Sequence, residues 1–125
     1  MKRIVTLCAL SFLAAACGGD GGDEGKSKAD PAVVAEAQKV WKDKCVTCHG
    51  NTGHGDGPGA AALNPKPRTF KDPKWQTYTK DDRIAKVIVE GGVSVGLSEG
   101  MAPNPELKDK PEVVAELVKI VRSFK

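Results

Sequence analysis

The stretch Cys45-Val46-Thr47-Cys48-His49 decides how this chain is read. Two cysteines three residues apart, with a histidine directly after the second, form the attachment signature of a covalently bound c-type haem. On a helix, residues three apart share a face one turn apart. The thiols of Cys45 and Cys48 can therefore add to the two vinyl groups of one porphyrin, while His49 presents its imidazole to the iron. Three other chemistries use parts of this pattern and fit it less well. A dithiol redox centre normally opens a helix after a strand, and no strand pattern precedes Cys45. A zinc site drawn from Cys45, Cys48, His49 and His54 has four ligands, but the neighbours Cys48 and His49 point about 100° apart on a helix. A Cys45–Cys48 disulfide would close too short a loop to stabilise much.

Working outward, Asp30-Pro31 predicts a helix start, with Asp30 as N-cap and Pro31 at the first helical position. Val33, Val34, Ala37, Val40 and Trp41 follow at helical spacing up to Lys44, so the helix runs into the cysteine motif. Beyond His49, the segment from Gly50 to Gly59 holds five glycines in ten residues and is loop. Leu63 to Phe70 stays extended, because Pro65 and Pro67 disfavour helix in the residues before them. Thr79, with Asp82 three residues on, predicts a second helix whose buried face is Ile84, Val87 and Ile88 and whose end is Gly91-Gly92. A loop from Val93 to Asn104 carries Met101. Pro111 then opens a last helix with Val113, Val114, Leu117, Ile120, Val121 and Phe124 on one side. There is no strand pattern and no repeat, so the fold class is all-α.

The start of the chain has a different character. Lys2 and Arg3 precede an apolar run from Ile4 to Ala16 that is short for a bilayer span and ends in three alanines before Cys17. Residues 1–16 are expected to be a bacterial export signal, with Cys17 as the lipidated first residue of a lipoprotein; ordinary cleavage nearby is the alternative. Residues 17–30 are rich in glycine and charge and predict a flexible tether with a span of about 20 Å. Residues 31–125 are the folded domain. Cys8 lies in the signal, so the four cysteines resolve into one removed, one lipidated and two on haem, with none left for a disulfide framework. Export to the periplasm, with a membrane anchor at Cys17, agrees with the compartment in which c-type haem is attached.

Charge excludes one class of partner. Of 19 basic and 16 acidic residues, Lys2 and Arg3 leave with the signal, so 17 basic groups face 16 acidic ones. Such a balance, without a basic aromatic stripe, does not suit nucleic acid. Local patches remain as docking features, and Lys39, Lys42 and Lys44 beside the cysteine motif are one candidate. Aromatic residues make up only 5% of the chain. Short helices and long loops of this kind bury little apolar surface, so a porphyrin would supply the missing core and the chain without it should be loosely folded.

An iron held by His49 needs a ligand opposite. Met101 is the only methionine apart from Met1, and it falls in a glycine-bordered loop, Gly100-Met101-Ala102-Pro103. His54 is only five residues from His49 and would have to wrap around the ring edge. Met101 is therefore the expected sixth ligand.

Together, Cys45-x-x-Cys48-His49, the loop Gly55-Asp56-Gly57-Pro58 and Gly100-Met101-Ala102-Pro103 before a terminal amphipathic helix resemble a class I monohaem cytochrome c. The resemblance covers Pro31 to Lys125. It implies a small cytochrome c fold in which the first and last helices cross, bringing Val40 and Trp41 against Leu117, Val121 or Phe124. It implies a proline carbonyl, from Pro65 or Pro67, accepting a hydrogen bond from His49, and Arg68, Trp75 and Tyr78 as candidate partners of the haem propionates. The expected function is electron transfer on one low-spin His/Met haem c, with no catalytic residue, no small-molecule substrate and weak, brief docking to redox partner proteins. The alternatives are a haem enzyme or a gas or peroxide sensor with a labile Met101, and a haem subunit of a respiratory complex.

Overall fold

The computed structural model describes residues 29–125. The expected signal, Cys17 and the tether as far as residue 28 lie outside the described residues. Among the described residues the regular elements are all helical. Helix α1 spans Pro31–Val40, and Asp30 caps it by accepting from the Ala32 N–H at 2.8 Å. The chain then passes through a π turn at Trp41–Cys45, in which the Val46 N–H reaches back to the Trp41 carbonyl. It continues as α2, Val46–His49, and stops at Gly50, whose φ of 74° favours glycine. The first helix and the cysteine motif are therefore continuous, as expected. The extra residue in the π turn nonetheless rotates the motif relative to Trp41.

A short helix that the sequence reading did not anticipate, α3 at Pro73–Tyr78, precedes α4 at Asp81–Glu90. Its N-cap, Asp72, accepts from the Lys74 and Trp75 N–H groups. Asp72-Pro73 thus repeats the signal that opens α1. Thr79 is accordingly not the start of the second helix: it ends α3, and Lys80 precedes α4 without a side-chain cap. Gly91 closes α4 with φ of 80°, as its position suggested. Short 3-10 turns lie at Ala60–Ala62, Val93–Val95 and Pro105–Leu107, and α5 spans Pro111–Arg122.

The core lies where α1, α4 and α5 meet, with Ala37, Ile84, Ile88, Val113, Val114, Leu117, Val118 and Val121 buried. Helix α1 packs on α5, as the expected fold requires. Trp41 lies against Phe124, with ring centroids 5.4 Å apart. One burial expectation changes, and one buried residue is new. Val87 is only partly buried and is not part of the core cluster, whereas Leu107, from a loop turn, is 1% exposed. The turn at Pro105–Leu107 packs on both α4 and α5, which removes Leu107 from water.

Candidate functional site

The helix that carries the cysteine motif delivers His49 into the interior, where it is 9% exposed. Its Nδ1 donates to the Arg68 carbonyl at 3.1 Å. A carbonyl oxygen can only accept, so the ring proton sits on Nδ1 and the lone pair of a neutral imidazole is on Nε2. Burial holds the His49 pKa below its usual value, and the Arg68 hydrogen bond opposes this more weakly. The ring is therefore neutral at physiological pH, with an Nε2 that has no hydrogen-bond partner among the described residues and a lone pair suited to a metal. Phe70 stacks on the imidazole at a centroid distance of 4.5 Å and an interplanar angle of 19°. The partner of His49 is thus neither Pro65 nor Pro67. The extended segment approaches His49 one residue past Pro67, and it is held there by the Phe70 N–H donating to the Gly53 carbonyl at 2.7 Å.

Cys45 and Cys48 are free thiols, both half-buried. Burial, the largest cause, pushes the Cys45 thiol up to about 11, and Cys48 adds to the rise while Lys44 opposes it. A thiol protonated at neutral pH is a poor nucleophile for disulfide exchange, which weighs against a dithiol redox centre. The glycine-rich loop closes directly on the motif. The Gly57 and Gly59 N–H groups donate to the Cys48 and Thr47 carbonyls, at 3.1 and 2.8 Å. These are helix-end carbonyls that need partners. Gly57 approaches so closely that a Cβ there would lie 2.4 Å from the carbonyl oxygens of Val46 and Thr47. The zinc arrangement does not form. His54 is exposed, with its Nδ1 2.9 Å from Thr52 Oγ1, and no group of three or more His, Cys, Asp or Glu among the described residues could hold a metal ion.

Met101 is half-buried in its loop, and the loop is fastened to the end of α4. The Gly92 N–H donates to the Met101 carbonyl at 2.8 Å, and Asn104 donates from its backbone and its side chain to the Val89 and Ile88 carbonyls. Leu63, from the segment after the cysteine motif, lies against Gly100, where a Cβ would be 2.9 Å from Leu63 Cδ2. The loops after His49 and around Met101 therefore meet. Val93 and Leu97, in the Met101 loop, keep 69% and 54% of their surface exposed, so this loop has apolar area that the chain's own core does not cover.

The remaining candidates separate. Trp75 packs on Phe70 with centroids 5.4 Å apart and belongs to the core margin. Tyr78 is 83% exposed. Arg68 lies 3.4 Å from Asp72, and its backbone carbonyl makes the contact with His49. Of the three lysines beside the motif, Lys39 pairs with Asp43 and Lys44 with Glu106. Only Lys42 has no ion-pair partner among the described residues, so the positive patch is weaker than the sequence suggests.

Free thiols at the attachment spacing, a neutral imidazole with an unpartnered Nε2 and apolar loops without a partner form a donor set that suits a covalently bound haem. Residues 34–120 match the cytochrome c family, and the chain belongs to it. Among solved structures, the KustC0563 c-type cytochrome is 37% identical with a TM-score of 0.54, in a match covering 71% of this chain and 96% of that one. No curated protein matches the chain. Haem c with its iron is therefore the cofactor, and the protein is a haem-based electron carrier.

Proposed function

We propose that the protein carries one electron at a time on a single low-spin haem c, attached through Cys45 and Cys48 and ligated by His49 and Met101, in the bacterial cell envelope. The observation that carries this reading is the His49 geometry: the Nδ1 proton is committed to the Arg68 carbonyl, which leaves a neutral, unpartnered Nε2 next to two free thiols. When bound, the haem supplies a one-electron Fe(III)/Fe(II) couple. His49, held on one side by Arg68 and on the other by Phe70, keeps its direction in both oxidation states. The Nδ1–H bond also makes Nε2 a more basic ligand. Met101, in a loop tied to α4, offers a thioether that favours the reduced state and raises the potential. With His49 and Met101 both holding the iron, the chain would leave no site for a substrate at the metal.

Met101→Ala tests the ligand pair. Its expected effects are loss of the weak far-red absorption band of a methionine-ligated ferric haem and a fall in potential of about 0.1 V or more, a fraction of the ~0.8 V range that axial ligands span. An unchanged potential would remove Met101 from the iron and bring forward a haem with another ligand or an open position. Cys17→Ser tests the anchor. Membrane fractions of an export-competent host should hold the parent chain, and the variant should move to the soluble periplasmic fraction.

A further inference from the structure

A polar chain runs from the last turn of α5 to the segment that holds His49. Arg122, whose side chain is 22% exposed, donates from Nη1 to the Gln76 carbonyl at 2.7 Å and to Gln76 Oε1 at 2.9 Å. Its Nη2 donates to the Thr79 carbonyl, and its Nε donates to Asp81 Oδ1 at 2.8 Å. Gln76 Nε2 in turn donates to the Phe70 carbonyl at 2.8 Å and to the Val121 carbonyl at 3.0 Å. These partners fix the amide orientation, since a flipped amide would set NH2 against the guanidinium and an oxygen against two carbonyls. Phe70 stacks on the His49 ring, and two residues earlier the Arg68 carbonyl takes the His49 proton. The amide of one glutamine thus joins the end of α5 to the strip of backbone that orients the imidazole.

We infer that Gln76, locked by Arg122, is a positioning residue for His49 and sets how strongly the Arg68 carbonyl accepts the Nδ1 proton, and through this the balance between ferric and ferrous haem. The inference rests on the reading of His49 as an iron ligand. An Nδ1–H bond to a carbonyl raises the basicity of Nε2, and a more basic ligand favours Fe(III). Segment 68–70 is otherwise anchored by the Phe70 N–H and Thr69 hydroxyl on the Gly53 carbonyl and by the packing of the Phe70 ring on Trp41, Trp75 and Phe124, so the Phe70 carbonyl is the point at which the last helix holds its backbone. Releasing the Phe70 carbonyl should let this strip drift from the ring, weaken the Nδ1–H bond and favour Fe(II).

The test uses the haem-loaded protein with Gln76→Ala, and with Arg122→Lys, which keeps the charge but loses the planar fork. Two quantities are read: the equilibrium constant for one-electron reduction, from a redox titration, and the solvent exchange rate of the His49 Nδ1 proton, from NMR of the ferric protein. In Gln76→Ala the reduction constant should rise about threefold, which is ~28 mV at 59 mV per tenfold. Nδ1 exchange should quicken, and Arg122→Lys should move both quantities in the same direction by less. Lys119→Gln, on α5 but paired only with Glu116 outside this polar chain, should leave both unchanged. A lowered melting temperature with an unchanged reduction constant would make the chain a structural brace only and overturn the inference. Failure of both variants to fold with haem would also overturn it, because the residues would then serve the fold. If the parent protein shows no hyperfine-shifted His49 ring resonances, the ligand assignment fails instead, which separates the two outcomes.

Discussion

His49 illustrates how burial and one hydrogen bond give an ordinary imidazole a defined direction and leave one ring nitrogen without a partner. Burial holds its pKa below the usual value, so protons compete less for Nε2 than they would for an exposed ring. The sign follows: acid should displace the ring from iron only at a pH below that expected for a free imidazole. Phe70→Ala would admit water beside the ring and move the pKa back up. In an acid titration of the ferric protein followed by the Soret band, ligand loss should then occur at higher pH than in the parent. An acid midpoint unchanged or lowered in Phe70→Ala would mean that the stacked phenyl ring does not set the protonation of His49. The motif Cys45-Val46-Thr47-Cys48-His49 was legible as a unit because its chemistry depends on spacing within one turn of helix. The acceptor for His49 was not legible. Pro65, Pro67 and Arg68 lie close together in an extended segment, and only the docking of that segment through Gly53 selects Arg68.

At the scale of elements, the loop from Gly50 to Gly59 shows two different reasons for glycine. Gly50, Gly53 and Gly55 have positive φ. Gly57 does not, and is required by the approach of the backbone to the end of α2. Gly57→Ala should therefore destabilise the haem-loaded protein by about 2 kcal/mol or more, in the range of severe steric substitutions. Gly96→Ala is the control. That residue has φ of 74° but nothing within 4 Å of a Cβ, so the substitution should cost only the conformational strain of roughly 1–2 kcal/mol. Denaturant unfolding of the two variants checks the order. The helices show the same division between local and long-range signals. Asp30-Pro31 and Asp72-Pro73 are equivalent start signals, yet the second opens a helix only six residues long with no sustained apolar period to mark it in the sequence. The π turn at Trp41–Cys45 has no signature in the sequence, since the spacing of Val33, Val34, Ala37, Val40 and Trp41 fits a regular α-helix running into the cysteine motif.

Across the whole molecule, the buried cluster is built mainly from α1, α4 and α5, with Phe70 and Leu107 added from outside these helices, and the Met101 loop keeps apolar area exposed at Val93 and Leu97. The porphyrin should complete this core. Cys45→Ala/Cys48→Ala, which cannot form thioethers, should lose much of its helical circular dichroism and become sensitive to proteolysis at conditions where the parent is resistant; a fully helical, protease-resistant double variant would mean that the chain folds without the haem. Docking also belongs to this scale. With Lys39 paired to Asp43 and Lys44 to Glu106, the charged face beside the motif is closer to neutral than its sequence implies. Such exposed pairs contribute only about 0–1 kcal/mol each to stability.

What the sequence determined by itself was local: the Cys45-x-x-Cys48-His49 spacing, the single methionine in a glycine-bordered loop, the caps at Asp30 and Gly91, and the apolar faces of the first and last helices. Each of these depends on residues within a turn or two of one another, where backbone geometry leaves little choice. The tertiary structure alone decided which carbonyl holds His49, which ring stacks on it, that Leu107 is buried, and that Gln76 and Arg122 join the last helix to the strip beside the imidazole. Those contacts span 19 residues from His49 to Arg68 and 46 from Gln76 to Arg122. At such separations the partner is selected by how the helices pack, because many polar groups of equal chemistry are available along the chain and only the folded core brings one of them within hydrogen-bond reach.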